Sequence, residues 1–283
     1  MEQKFNKRKV LQILCNYGLL LALCVIIIIV SINNKNFLTF KNLLNILRQV
    51  APAGIMALGV ACVIVAGHMD LSISSTVTMA GVVCVSYIKY KNADVLGMVL
   101  ALVVGLAIGL INGLIIVSIT SKKGRKGESF IITYGMQSAI AALALLYTGG
   151  VYMNLSGGTL HSQFGSGSTP IIIFAVLALI LGYVMKRTPF GQSIYFIGSN
   201  EAAARMSGIN VKRNTVIIFV ISGVCAALAG IVLTARISAA SSTFGNGMEM
   251  DAIAALALLY TGGVYMNLSG GTLPSQFGSG STP

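Results

Sequence analysis

Apolar residues run along this chain in long unbroken stretches, separated by short polar or glycine-bearing interruptions. The longest stretches cover residues 11–32, 50–66, 71–88, 95–119, 129–148, 171–185 and 214–235. A helix needs about 20 mostly apolar residues to cross a hydrocarbon core about 30 Å thick. Strands of a membrane barrel would instead alternate apolar and polar positions over about half that length. The pattern therefore predicts an all-α, polytopic transmembrane helical bundle of about seven spans, followed by an incomplete C-terminal segment.

Composition sharpens this picture. Of 283 residues, 55% are hydrophobic and only 9% charged, and the mean hydropathy is +0.86, far from an ordinary soluble domain. The formal charge of +12 does not point to nucleic acid, because the basic residues sit in short clusters between apolar runs without interleaved aromatics. They read as orientation signals. With a cytoplasmic N-terminus, Lys4, Lys7, Arg8, Lys9, Lys122, Lys123, Arg125, Lys126, Lys186, Arg187, Arg205, Lys212 and Arg213 fall inside, against Lys35, Lys41, Arg48, Lys89, Lys91 and Arg236 outside. That asymmetry follows the positive-inside rule. The first apolar run is too long for a secretion signal and no small-residue cleavage site follows it, so it reads as a retained helix. Cys15, Cys24, Cys62, Cys84 and Cys225 all lie in apolar segments without metal-ligand or redox spacing, and read as free thiols.

Only "GHMD", residues 67–70, separates the second and third runs, and glycines recur through the fourth as "GLAIGLING", residues 105–113. Small residues let helix backbones approach closely in lipid, so a compact bundle is expected, with broken helices as the other reading of these glycines. Residues 149–169 read as an external loop. Residues 139–170 recur at 252–283 with one change, His161 becoming Pro274. The second copy offers only about ten apolar residues after Asp251, too few for a full span. The expected organisation is a transmembrane domain over residues 1–251 and the copied block over 252–283.

Catalytic chemistry has little to work with. Two histidines and seven carboxylates are scattered singly, with no HExxH, GxSxG, paired carboxylates or GxxxxGK[ST]. No enzyme activity, metal or cofactor is expected. The informative polar stretch is "FGQSIYFIGSNEAAARMSGI", residues 190–209. Asn200 is a helix cap, Glu201 favours the first turn, Ala202, Ala203 and Ala204 are strong helix formers, and Gly208 is a terminator. A helix of about two turns on the cytoplasmic face follows, suited either to another protein's groove or to lying along the membrane. Asp70 has two readings: a pathway or gating carboxylate, since a charge at such depth costs roughly 2.5–3.5 kcal/mol unless it faces protein or water, or a cap for the next helix. Asn112 reads either as a sugar-hydroxyl contact or as an interhelical hydrogen bond. His68 reads as a helix-end residue, and Tyr134, Gln137 and Tyr147 as passage-lining or interface residues.

"FGQSIYFIGSNEAAARMSGINVKR", 190–213, resembles the cytoplasmic loop of the permease subunits of ribose-type bacterial ABC importers. "NFLTFKNLLNILRQ" at 36–49, "GHMDLSISS" at 67–75, "GLING" at 109–113, "ALLYTGG" at 144–150, "SGVCAALAGIVLTAR" at 222–236 and "MEMDAIAA" at 248–255 continue the likeness. It runs from residue 10 to about 255. His68 and Met69 depart from it, where the family has smaller or aliphatic residues before the aspartate, and the copied block stands in place of further membrane helices. The resemblance implies a sugar-importing permease in a bacterial inner membrane, working by alternating access. Its implied partners are a cytoplasmic ATP-binding subunit, a periplasmic or extracellular solute-binding protein and a second permease copy. Gly198, Asn200, Glu201, Ala203, Arg205 and Gly208 would form the coupling element, and Asp70 and Asn112 the candidate passage residues. An ion-coupled secondary transporter, which would normally carry more intramembrane polar groups, and a purely structural membrane subunit are the alternatives.

Overall fold

The computed structural model describes residues 7–120, 128–155, 164–165 and 167–256. The basic cluster at 122–126, Lys4, His161, and the copied block from residue 257 onward lie outside the described residues. The chain divides into two compact units at residues 49 and 50.

The first unit holds α1 (Lys7–Asn33) and the opening turns of α2 (Phe40–Val65). Thr39 Oγ1 accepts from the Asn42 amide at 3.3 Å, and Asn42 Nδ2 donates to the Phe37 carbonyl at 2.8 Å. These bonds fix the turn that launches α2, which starts ten residues before the apolar run. Phe40–Gln49 carries Lys41, Asn42, Asn45, Arg48 and Gln49, good helix material that hydropathy alone does not mark.

The second unit contains the rest of α2, then α3 (Ile73–Lys91), α4 (Asp94–Thr120), α5 (Glu128–Thr148), α6 (Thr169–Arg187), α7 (Pro189–Ser199), α8 (Glu201–Met206) and α9 (Val211–Ile237). A helical stretch at 248–256 follows. Among the described residues, five helices, α2, α4, α5, α6 and α9, are long and apolar enough to cross a membrane. The third apolar run became α3, whose Ser74, Ser75, Thr76, Thr78 and Ser86 lower its apolarity. It compensates by being enclosed: most of its side chains are buried, and it packs against α4, α5 and α9. The hydroxyls are satisfied along the helix, as in Ser75 Oγ to Ser72 O at 2.9 Å and Thr78 Oγ1 to Ser74 O at 3.1 Å. Such back-bonding lets hydroxyls sit in an apolar interior without an unsatisfied donor.

Helices α4 and α9 pack backbone against backbone. A Cβ at Gly105 would strike the Gly223 carbonyl, one at Gly109 the Phe219 carbonyl, and one at Gly113 the Val216 backbone. Glycines four residues apart on one face therefore seat α9 directly on α4, the packing that replaces hydrophobic drive between helices in lipid. The core continues through Ile55, Met56, Val60, Ile73 and Val77 with Ala226, Ala229 and Val232 of α9.

The 149–169 stretch is not wholly irregular. Met153–Asn154 (β1) pairs antiparallel with Ala239–Ala240 (β2), and Leu155 N donates to Ser238 O at 2.9 Å. Met153 and Ala240 are buried against Val82 and Val85, which ties this segment to the end of α9 and the side of α3.

Candidate functional site

The polar stretch at 190–209 folds as two short helices rather than a loop carrying one. Thr188 opens α7: its Oγ1 accepts from the Gly191 amide at 3.2 Å, and Pro189 takes the first helical position, where its missing N–H costs nothing. Ile194 and Ile197 of α7 are fully buried with Cys62, Val63 and Ala66 at the end of α2 and with Ile116, Ile218 and Phe219. Gly198 lies so close to the Val65 carbonyl that any Cβ would collide with it. That glycine sets the approach of α7 to α2.

Asn200 breaks the helix in extended conformation and caps α8, its Oδ1 accepting from the Ala203 amide at 3.0 Å. Ala204 is buried, whereas Met206 is 85% exposed. Arg205 Nη2 and Nε donate to Glu201 Oε1 at 2.5 and 3.1 Å, the orientation that also suits the helix dipole. Gly208, at φ +79°, turns the chain toward α9, a conformation that favours glycine. Asn210 then caps α9 by accepting from the Arg213 amide at 3.0 Å. Two exposed apolar rings of α7, Tyr195 and Phe196, share this end of the molecule. An open depression of about 330 Å³ between α8 and α9 is lined by Arg205, Gly208, Ile209, Asn210, Val211 and Lys212.

Beneath α8 lies the segment joining α2 to α3. A small cavity of about 10 Å³ is bordered by Glu201 and Arg205 of α8, Lys212 and Thr215 of α9, Ile116 of α4, and His68. His68 is buried, with its ring 6.0 Å from that of Phe219. His68 follows the end of α2, on the segment that carries Asp70, and borders the small cavity opposite Glu201 and Arg205 of α8.

Asp70 is 5% exposed. Its Oδ1 accepts from the Ser72 amide at 3.1 Å and the Ser72 hydroxyl at 2.7 Å, and its Oδ2 accepts from the Ser222 hydroxyl of α9 at 2.9 Å. Among the described residues no ion pair reaches it. Asn112 Nδ2 of α4 donates to Ser72 Oγ at 2.7 Å. Asp70 and Asn112 are thereby joined through one serine, and the network spans the start of α3, α4 and α9. Ser72, not Asp70, occupies the cap position of α3. The carboxylate acts one step earlier, closing an Asx turn over it.

From the other side, α5 holds the same segment. Ser129 Oγ accepts from the Met69 amide and Thr133 Oγ1 from the Leu71 amide, both at 3.2 Å. Further along α5, Gln137 Nε2 donates to Ser74 Oγ at 3.1 Å and to Glu249 Oε1 at 3.2 Å. Tyr147 instead meets Ser86 at 3.0 Å, and Tyr134 stacks on Phe130 at the surface. Ser72, Ser129, Thr133, Ser222 and Glu249 were not singled out from the sequence. Isolated hydroxyls in apolar runs carry no local signal of their partners. Among the described residues no group of three or more His, Cys, Asp or Glu side chains is placed to hold a metal ion.

Comparison with known proteins gives this architecture its context. Residues 42–275 match the family described as branched-chain amino acid transport system, permease component. The chain is 38% identical to the ribose import permease protein RbsC of Escherichia coli (strain K12) over 247 residues, 84% of this chain and 75% of that protein. It is 40% identical over 260 residues to RbsC of Bacillus subtilis (strain 168), covering 90% and 77%. It is 31% identical over 259 residues to the L-arabinose transport system permease protein AraH of Escherichia coli (strain K12), covering 90% and 76%. No solved structure matches. With a helical bundle that includes five membrane-length apolar helices, the chain is a multi-pass membrane protein and belongs to this permease family, among its ribose-type sugar ABC members.

Proposed function

We propose that this chain is the membrane subunit of an ATP-driven importer of a ribose-like monosaccharide, worked by alternating access and moved by a separate ATPase subunit that docks on α8. The observation that carries the reading is the build of α8. It is capped by Asn200, closed by Gly208 and braced by the Glu201–Arg205 pair, with Ala204 buried and Met206 turned outward, next in the chain to the exposed Tyr195 and Phe196 of α7. A short helix that is stiff on its own and apolar on its outer side suits a partner's groove.

The arrangement also supplies a route for force. Displacing α8 presses on His68 across the small cavity and on the start of α9, and both lead to the Asp70–Ser72–Asn112 network. In this reading, Asp70 and Asn112 hold the broken hairpin in register rather than perform chemistry. The ATPase supplies the energy, a solute-binding protein delivers the sugar, and a second permease copy completes the passage. The basic clusters favour an inner-membrane orientation with α8 and the N-terminus in the cytoplasm. Ribose and arabinose, named for the relatives, set the substrate class.

Co-purification tests the reading. The full chain, extracted from its native membrane, is expected to bring an ATP-binding subunit with it. The double variant Glu201→Ala, Arg205→Ala is expected to lose that subunit while remaining in the membrane fraction. Retention of the subunit at wild-type yield by the double variant overturns the coupling assignment.

A further inference from the structure

Glu249 is the second buried carboxylate of the unit, and the alternating-access route above makes no use of it. It is 9% exposed, and among the described residues no cation pairs with it. Its Oε1 accepts from Gln137 Nε2, while among the described residues its Oε2 has no hydrogen-bond partner, and neither does Gln137 Oε1. The direction of these bonds is fixed chemically. A carboxylate oxygen only accepts, so the Gln137 amide must present its NH2 to Glu249 and turn its oxygen away. Two buried, unmatched acceptors therefore lie on neighbouring side chains, and a hydrogen-bond donor or a cation satisfies them.

Depth adds a second, independent argument. Gln137 is the tenth of the 21 residues of α5, about 14 Å along the helix from its start. That is half-way through a membrane-length span, the level at which transporters place substrate sites. An ionisable side chain kept there without a counter-charge marks a functional site by default. The surrounding chain is built for close approach. Gly245 sits against the Ser74 carbonyl, where no Cβ fits, and its amide donates to Thr78 Oγ1 at 2.9 Å. This holds residues 245–249 against α3 and α5.

We propose that Gln137 and Glu249 form a hydroxyl-binding station for a polyol, at the mid-depth of the bundle. The proposal rests on the sugar-permease reading and adds the residues that touch the cargo. A carboxylate and an amide oxygen side by side accept from two vicinal hydroxyls, and they offer nothing to a carboxylate or phosphate ligand. Within the sugar-permease reading, the selected class is therefore a neutral sugar. The station is closed in this structure, with both oxygens shut from solvent, as one end of an alternating-access cycle requires.

The test measures binding of tritiated D-ribose, and separately L-arabinose, to the purified full chain in lipid nanodiscs by scintillation proximity. Competition by monodeoxy analogues and replacement of sodium by choline form parallel arms. Gln137→Leu and Glu249→Gln are each expected to weaken binding about tenfold, the worth of one or two hydrogen bonds. They are also expected to abolish the preference for the intact sugar over at least one deoxy analogue, a discrimination that a purely structural bond would leave unchanged. Unchanged affinity and preference in variants with wild-type melting behaviour overturns the station. So does a thermal shift produced by sodium alone, or the absence of saturable sugar binding by a wild-type chain that still co-purifies with its ATP-binding subunit. A wild-type chain that neither binds sugar nor retains that subunit removes the permease reading itself.

Discussion

Replacing Asp70 by alanine and by asparagine separates its role as a hydrogen-bond acceptor from its role as a charge. Asp70→Ala strands three donors in the interior: the Ser72 amide, the Ser72 hydroxyl and the Ser222 hydroxyl. Interhelical hydrogen bonds in membrane proteins average about 0.6 kcal/mol, and bonds to charged groups reach about 1.5–3 kcal/mol. Taking about 0.6–1.5 kcal/mol each, three together give about 2–5 kcal/mol. Asp70→Asn keeps the shape and the oxygen that accepts from both Ser72 donors, and the Ser222 hydroxyl can turn to accept from the new NH2. Its expected cost is about 1 kcal/mol.

At about 2–4 °C per kcal/mol for a chain of this size, the alanine variant is expected to melt roughly 4–20 °C below wild type and the asparagine variant within about 4 °C. A maleimide dye reads this directly in detergent, because Cys62, Cys84 and Cys225 are buried and become reactive only on unfolding, whereas Cys24 is exposed throughout. Coincident melting of wild type and Asp70→Ala refutes the claim that this carboxylate pins the hairpin. Equal losses in the two variants show that the charge, rather than the acceptor geometry, is what counts.

Gly109→Leu forces a side chain into the Phe219 carbonyl at the α4–α9 contact; overpacking of this kind costs about 1–3 kcal/mol or more, and the same dye assay should record early melting, while Gly182→Leu, where nothing lies within 4 Å, should melt as wild type. Asn200→Ala removes the cap from α8, worth about 1 kcal/mol, and should speed hydrogen exchange of the Ala203 amide several-fold without shifting the global melt. Tyr147→Phe deletes one bond to Ser86 and is expected to lower melting by about 2–4 °C, the value of about 1 kcal/mol.

Legibility followed the range of the interaction. The cap at Asn200, the stop at Gly208 and the glycine face of α4 were readable because each depends on residues within a few positions. The partners of Asp70 were not. Ser222 lies 152 residues away and Asn112 reaches Ser72 from 40 residues away, and a lone serine in an apolar run looks the same whether or not a carboxylate faces it. Hydropathy likewise hid the first turns of α2, since polar residues that favour helix read as loop. It also hid the pairing of β1 with β2, which is two residues long and has no room for an alternating pattern. In α3 hydropathy marked the apolar run at 71–88 but not how fully the fold encloses it, nor that its hydroxyls are satisfied by its own backbone.

The network gains its mechanical meaning from α9, the element that joins its two ends. This helix starts at Val211, beside the depression under Arg205, and reaches Ser222 eleven residues later, about 17 Å along a rigid rod. Between those points it lies on the glycines of α4, so it can slide along the α4 groove but cannot separate from it without losing close backbone contacts. If α8 moves as proposed, the push arrives at Asp70 through the Ser222 hydroxyl. Ser222→Ala should then keep the ATP-binding subunit attached, because it leaves α8 untouched, yet lower the sugar moved per ATP consumed. A variant that transports with wild-type coupling would mean that the motion passes instead through His68, where α8 already borders the hairpin across the small cavity.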